Sequence, residues 1–250
     1  MIAAVVLGLL VGSFLNVCIY RLPRRESVAW PASHCPSCRR ALAWYENVPL
    51  VSWLVLRGRC RTCRTPISIQ YPIVEAATGA LFGAAYYWYG PTPLGIVRTL
   101  FGCAMIVLFV IDLQHRILPN VITLPGIAAG FVASLFLPPG WLSSLIGIAA
   151  GGGILFAIAE AYYRLRGIEG LGMGDVKMLA MIGAVLGWPL MLLTLVLASF
   201  AGSVVGVGLM ASGRGGMQAA LPFGTFLALG ALVASVAGDP ILSWYLAFYR

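Results

Sequence analysis

Eight apolar runs, at about 2–20, 72–90, 94–113, 119–137, 141–163, 175–188, 190–211 and 221–237, follow one another along the 250 residues. The breaks between them, apart from one long stretch, are short and rich in Gly, Pro or Arg. A helix crossing the hydrocarbon core needs ~20 mainly apolar residues, so runs of this length and number read as membrane spans. Composition agrees. The chain is 60% hydrophobic and 10% charged, whereas a soluble domain needs ~25% charged residues to cover its surface. A soluble enzyme is excluded, and so is intrinsic disorder, which requires few apolar residues and much charge. The expected fold is an all-α polytopic membrane protein with about eight transmembrane helices.

The one long polar stretch, 21–71, holds nine of the sixteen basic residues, Arg21, Arg24, Arg25, Arg39, Arg40, Arg57, Arg59, Arg61 and Arg64. Its acids are Glu26 and Glu46, so its net charge is 9 − 2 = +7. So basic a segment can meet nucleic acid, but a cytoplasmic membrane loop facing anionic headgroups explains it more simply, and no nucleic-acid partner is expected. With 21–71 inside, Arg116, Arg164, Arg166, Lys177 and Arg214 also fall inside, leaving Arg98 and Arg250 outside. The expected topology is N-terminus out and C-terminus out, with the first span a retained reverse anchor. The organisation is then a first helix at 1–20, a cytoplasmic domain at 21–71, and a seven-helix membrane domain at 72–250. The apolar, aromatic tail 240–250 is too short to span and is expected to lie in the interface. Gly126-Ile-Ala-Ala-Gly130, Gly147-Ile-Ala-Ala-Gly151 and Gly202-Ser-Val-Val-Gly206 have the spacing of close helix contacts.

Within the basic domain, Cys35-Pro-Ser-Cys38 and Cys60-Arg-Thr-Cys63 form two Cys-x-x-Cys pairs. Each such turn presents two sulfurs on one side, and four thiolates satisfy a tetrahedral Zn²⁺. The pattern is that of a zinc ribbon. Two disulfides are the alternative, disfavoured by a reducing cytoplasm. A four-cysteine site is closed to substrate, so its metal would hold together a domain poor in core. Cys18 and Cys103 fall in apolar runs and read as small core residues.

Six of the eight acids have local explanations. Glu26, Glu46, Glu169 and Asp239 lie in loops, Glu160 stands four residues before Arg164, and Glu75 is expected in the first turn of the second span. Asp112 closes the third span, where the helix dipole opposes negative charge, and nothing local accounts for it. Asp175 opens the sixth span in Gly172-Met-Gly-Asp-Val-Lys177, and its bland role is that of an N-cap. Adjacent spans run in opposite directions, so both aspartates reach the cytoplasmic interface. Two carboxylates sharing a water make an aspartic protease, one activating the water and the other protonating the carbonyl oxygen. Helix polarity alone makes Asp175 the base and Asp112 the acid. Gly172 and Gly174 would leave the backbone open to an extended substrate, and Lys177 would add positive field. A zinc-ribbon scaffold would account for the cysteines but not Asp112. A proton-coupled transporter would place its acids nearer the bilayer midplane.

Several of these segments together resemble the type IV prepilin peptidases, bacterial leader peptidase/N-methyltransferases grouped with the Gly-x-Gly-Asp membrane aspartic proteases. They are Gly12-Ser-Phe-Leu-Asn-Val-Cys-Ile-Tyr-Arg-Leu-Pro23, the cysteine pairs, Asn47-Val-Pro-Leu-Val-Ser-Trp53, Tyr71-Pro-Ile-Val-Glu75, Ile111-Asp112 with Leu118-Pro119, Gly172-Met-Gly-Asp175-Val-Lys177 and Pro222-Phe-Gly224. The resemblance implies a bacterial inner-membrane enzyme whose catalytic pair is Asp112 and Asp175. Its substrates would be type IV prepilins or type II secretion pseudopilins, cut at the cytoplasmic face. The new N-terminus would then be methylated from S-adenosylmethionine, with Glu75 a candidate cofactor-binding residue. A peptidase without methyltransferase activity remains the alternative, since no glycine-rich nucleotide fingerprint is present. Two positions depart from the family pattern: Asn120, where Asp is common, and Thr225, where Pro is frequent. Neither is expected to touch the dyad.

Overall fold

A computed structural model describes residues 1–167, 171–212 and 221–248. Glu169, Arg214 and Arg250, each placed above by topology, lie outside the described residues. The described residues are helical, with two isolated antiparallel bridges, His34 with Ala41 and Arg59 with Pro66. The helices are α1 (Ile2–Arg21), the short α2 (Val51–Val55), α3 (Gln70–Tyr89), α4 (Pro93–His115), α5 (Asn120–Ser134), α6 (Trp141–Arg166), α7 (Met173–Ala211) and α8 (Phe223–Ala247). Five segments are long and apolar enough to cross a membrane: Ile2–Arg24, Pro93–His115, Trp141–Arg166, Met173–Ala211 and Phe223–Ala247. α5 is apolar but shorter. The chain divides into two compact units, Met1–Val107 and Leu108–Arg250, so α4 contributes to both.

In the first unit, α1 and α3 pack antiparallel through glycines. A Cβ on Gly12 would lie 2.7 Å from Glu75 Cα, and one on Gly8 would lie 2.7 Å from Thr78 O. The backbones therefore approach more closely than any side chain at those positions would permit, which is how small residues join helices where apolar burial gives no net drive. Asn16 adds a polar tie, its Nδ2 donating to Tyr71 O at 3.1 Å. Between the two helices, Arg21 is 5% exposed and donates to Ser27 O (2.9 Å) and Pro31 O (2.7 Å), anchoring the chain as it leaves α1.

The second unit is built around the first part of α7, where every residue from Met178 through Gly187 is buried. A helix apolar on all sides must be covered on all sides. α5 covers it running parallel: Gly126 meets Met181 and Gly130 meets Val185. α6 covers it antiparallel, with Gly147 against Gly183, Gly151 against Leu179, and Ser144 Oγ donating to Ala184 O at 2.8 Å. Both copies of the Gly-Ile-Ala-Ala-Gly pentapeptide thus serve packing.

α7 is not one straight rod. Gly187 has φ 80 and ψ 168, outside helical values, and Pro189 follows it. Beyond this point the second arm pairs antiparallel with α8: Leu190 meets Gly238, Thr194 meets Gly230, and Gly206 meets Leu221. Leu118 packs on both Gly174 and Gly224, so the starts of α7 and α8 share one end of the unit. Gly206 lies at that end too, although 32 helical residues would carry it ~48 Å away from Gly174 in a straight helix. The chain must fold back at Gly187, and the expected runs 175–188 and 190–211 are the two arms of this hairpin. Only glycine adopts that φ without strain, and Ser143 and Pro139 leave no room for a side chain there.

The tail departs from expectation. Instead of ending near 237, α8 continues through Pro240 to Ala247, with Trp244 and Phe248 in edge-to-face contact at 4.9 Å.

Candidate active site

Asp112, three residues before the end of α4, is 4% exposed. Its Oδ2 accepts two hydrogen bonds from Thr225, from the backbone N–H at 2.7 Å and from Oγ1 at 3.0 Å. Thr225 is the third residue of α8, whose first amides have no acceptor within their own helix. The carboxylate at the end of one helix therefore caps the start of another. This tertiary partner is the benefit that no local pattern revealed. Gly224 makes it possible, since a Cβ there would lie 3.0 Å from Oδ2. The expectation that Thr225 stands clear of the dyad is corrected accordingly.

Asp175 is also the third residue of its helix. The N-cap of α7 is Gly172, which has no side chain to cap with, and the Asp175 carboxylate turns back to the Gly172 backbone N–H, as an acid at the third helical position does. The Asp175 N–H donates to Gly172 O at 3.1 Å. Leu118 packs on both Gly174, next to Asp175, and Gly224, which lies against Asp112, so the two aspartates share one end of the unit. Since Asp112 faces the N-terminus of α8 and Asp175 sits at that of α7, helix polarity does not separate the two into base and acid as expected.

The neighbouring glycines differ. Gly172 is exposed with open space around it, apart from Asp175 Oδ2 at 3.4 Å from a notional Cβ. Gly174 is filled in by Leu118, 3.0 Å from where a Cβ would stand, and so serves packing. Lys177 Nζ donates to Asn120 Oδ1 at 3.0 Å, tying the start of α5 to the second turn of α7. Asn120, like Thr225, thus engages the residues of the site's frame.

In the other unit, the four cysteines converge. Cys35, Cys38, Cys60 and Cys63 are all free, and their sulfurs lie within 4.8 Å of one another. The two turns repeat each other. Arg39 N donates to Cys35 O and Arg64 N to Cys60 O, while Cys35 N donates to Arg40 O and Cys60 N to Thr65 O. Arg39 and Arg64 both take left-handed conformations, φ 57 and 59. Cys35 Sγ and Cys63 Sγ are 3.7 Å apart, too far for the ~2.05 Å of a disulfide and close to the ~3.8 Å edge of a tetrahedron with 2.3 Å metal–sulfur bonds. The Thr65 hydroxyl, 3.2 Å from Cys63 Sγ, and the Thr65 amide pull that thiol down to about 6, favouring a thiolate. The donor set and its spacing fit one tetrahedral ion.

Two acids for which the sequence offers local explanations are buried and held. Glu46 accepts from Arg40 Nη2 at 2.6 Å and from Ala43 N at 2.8 Å. Arg40 and the Ala43 amide hold its carboxyl below the usual range. Glu75 is not in the first turn of α3, which begins at Gln70 and so starts earlier than expected. Instead its Oε2 accepts Leu50 N at 2.8 Å, joining α3 to the cysteine-bearing segment. Glu160 and Arg164 form the expected i,i+4 pair at 2.6 Å.

A helical membrane protein with one aspartate near the end of α4 against the start of α8, another in the first turn of α7, and a separate four-thiol domain has the build of a membrane aspartic peptidase with an accessory cysteine module. Comparison with known proteins gives the family. Residues 6–89 match the Bacterial Peptidase A24 N-terminal domain and residues 99–207 the Type IV leader peptidase family. The chain is 40% identical to a Burkholderia pseudomallei (strain 1026b) prepilin leader peptidase/N-methyltransferase, over 95% of this chain and 85% of that protein. A Stutzerimonas stutzeri protein of the same name is 36% identical, with 100% and 94% covered. One from Myxococcus xanthus (strain DK1622) is 45% identical, over 84% of this chain and 64% of the relative. No solved structure matches. The chain belongs to the prepilin leader peptidase/N-methyltransferase family.

Proposed function

We propose that this protein is a multi-pass enzyme of the bacterial inner membrane that removes the basic leader of type IV prepilins or type II secretion pseudopilins. It then methylates the new N-terminus from S-adenosylmethionine. The observation that supports the proteolytic half is the placing of Asp112 and Asp175 at one end of the second unit, where Leu118 packs on Gly174, next to Asp175, and on Gly224, which lies against Asp112. One carboxylate takes a proton from water as it attacks the scissile carbonyl, and the other protonates the carbonyl oxygen. Gly172 lies open beside Asp175, where an extended leader can pass along the backbone.

The eight apolar runs fall on α1, α3, α4, α5, α6, the two arms of α7, and α8, supporting eight spans. The Arg-rich segment 21–71 lies on the cytoplasmic side with both aspartates, and the N-terminus lies outside. Residues 1–20 are the first span and 72–250 the peptidase domain. Cys35, Cys38, Cys60 and Cys63 hold one structural Zn²⁺. The ion closes the ends of two turns that share no sheet, in a segment whose described helices are one turn or two long.

Both activities appear in the relatives' names, which favours the bifunctional reading over a peptidase alone. The purified protein, incubated with a prepilin with and without S-adenosylmethionine and read by mass, tests it. The expected products are a shortened pilin without the donor and the same pilin bearing one methyl group with it. Intact prepilin would overturn the peptidase, and cleavage without methylation would restrict the protein to proteolysis.

A further inference from the structure

The short helix α2 turns an apolar side away from the protein. Its Ser52 and Trp53, with Leu56 just beyond it, line the same cavity as Leu10, Phe14 and Val17 of α1. The opposite face consists of Val51, Leu54 and Val55, at i, i+3 and i+4, which are 55%, 66% and 75% exposed. Among the described residues nothing covers this face. A helix at a water surface turns its polar side outward, and here the outward side is three branched aliphatic residues in a row.

The attachment of α2 fixes its level. Leu50 N donates to Glu75 Oε2 at 2.8 Å, and Glu75 Cα lies against Gly12, where a Cβ would stand 2.7 Å from it. Gly12 precedes Arg21 by nine residues, ~14 Å of helix rise, and the apolar half of one leaflet is ~15 Å thick. Even with the reach of a glutamate side chain, α2 begins beside the apolar span of α1 and not beyond its end. The lining shared with Leu10, Phe14 and Val17 agrees. A helix that starts in lipid must have its first amides satisfied by the protein. That condition is met: Leu50 N is taken by Glu75, Val51 N donates to Pro49 O at 2.6 Å, and Ser52 N to Val48 O at 3.1 Å.

The flanking residues are those of a headgroup layer. Trp44, 82% exposed, meets the Tyr45 ring edge to face at 5.7 Å, and Arg61 donates to the Tyr45 hydroxyl. Arg57, Arg59, Arg61 and Arg64 are exposed on the chain that follows α2. Tryptophan and tyrosine favour the membrane interface, and arginine favours anionic phosphates. We infer that α2 dips into the cytoplasmic leaflet, with Val51, Leu54 and Val55 among lipid acyl chains and the following arginines on the phosphates of anionic lipids. The inference rests on the cytoplasmic placement of 21–71 and adds to it a point of contact with the bilayer. The apolar segment of a pilin is the competing occupant. A pilin arriving with a basic leader would meet the net +7 of 21–71, whereas an anionic lipid surface is complementary to it. Cys60 follows soon after α2, so the contact also orients the cysteine module on the membrane.

The full-length protein with its metal is placed in nanodiscs of phosphatidylethanolamine and phosphatidylglycerol that include a lipid with a photoactivatable group in its acyl chain. After irradiation, labelled peptides are mapped by mass spectrometry. Acyl label is expected on 51–55, as on the exposed Val6 and Leu7 of α1. Label on α1 with none on 51–55 would overturn the proposal. Label on 51–55 that added prepilin strips away would also overturn it, by making the face a seat for substrate. Replacing phosphatidylglycerol with phosphatidylcholine should lower the label on 51–55 severalfold relative to α1, and an unchanged ratio would overturn the part given to the arginines. Trypsin should cut within 21–71 in sealed inverted inner-membrane vesicles and not in spheroplasts. The reverse would overturn the cytoplasmic placement while leaving the acyl contact standing, so the two failures are distinct. The labelling needs no variant to fold.

Discussion

Thr225 gives both of its donors to one oxygen of Asp112: N–H at 2.7 Å and hydroxyl at 3.0 Å, each to Oδ2. In the proposed reaction Oδ1 is then the oxygen that would meet water or a scissile carbonyl. With the backbone N–H alone, the carboxylate could swing about that single contact, whereas the second donor fixes its plane. Thr225→Val keeps the shape and the N–H but removes the hydroxyl. A hydrogen bond to a charged group contributes ~1.5–3 kcal/mol, so kcat for leader cleavage should fall about ten- to a hundredfold with KM little changed. Thr225→Ser should recover most of the rate. Steady-state cleavage of a prepilin by the three proteins checks this, and equal rates for Val and Ser would remove Thr225 from the positioning of Asp112.

The same contact makes Asp112→Asn a clean substitution. Asparagine retains an oxygen for the Thr225 donors, so the start of α8 keeps its cap while the carboxylate is lost. Asp175→Asn is equally conservative, since an amide oxygen can still accept from the Gly172 N–H. Each variant should insert and fold but lose cleavage by at least ~10³-fold, the scale on which general acid–base groups act together. Methylation of a pilin already cleaved should persist in both. Substantial leader removal by either purified variant would end the dyad assignment.

The membrane-type helices were legible because apolar runs are a one-dimensional signal that the bilayer enforces. The four cysteines were legible for a similar reason, their short-range spacing being that of a metal turn. Asp112 and Asp175 stood out by elimination among eight acids. What the sequence hid was tertiary. No periodicity tells that Thr225, 113 residues away, reaches Asp112, or that Glu46 and Glu75 are buried rather than loop and helix-end acids. The continuation of α8 to Ala247 was missed because 240–250 was judged by its length as a separate segment, whereas it extends the preceding helix through Pro240.

For the thiol cluster, elemental analysis of protein purified under reducing conditions should find one zinc per chain. Cys60→Ser breaks one of the two buried ligands and should lose the metal, because three thiolates and a weak hydroxyl do not close the site. Residues 22–69 should then exchange amide hydrogens far faster, while those of the second unit are little changed, since the metal's binding energy is the domain's folding energy. Methylation should suffer at least as much as cleavage. Reduced protein without any bound metal would exclude the assignment.

The glycine contacts of α6 make opposite expectations for two alanine substitutions on related faces. A Cβ on Gly183 would sit 2.2 Å from Gly147 O and 2.3 Å from Gly147 C, all backbone atoms that no rotamer change can move. Gly183→Ala must therefore push α6 away from the first arm of α7. Because Ser144 Oγ reaches Ala184 O across the same contact, the shift also stretches that bond. Overpacking of this kind costs ~1–3 kcal/mol, and the affected arm carries Asp175 at its start. Gly153 faces outward on α6, with nothing within 4 Å of a notional Cβ. Gly153→Ala meets no obstacle and removes the backbone freedom of a mid-helix glycine, worth ~0.5–1 kcal/mol toward stability. Thermal unfolding of the two variants in one detergent should move in opposite directions from wild type, with cleavage lowered only in Gly183→Ala. An unchanged transition for Gly183→Ala would mean that the two helices cross less closely than these contacts require.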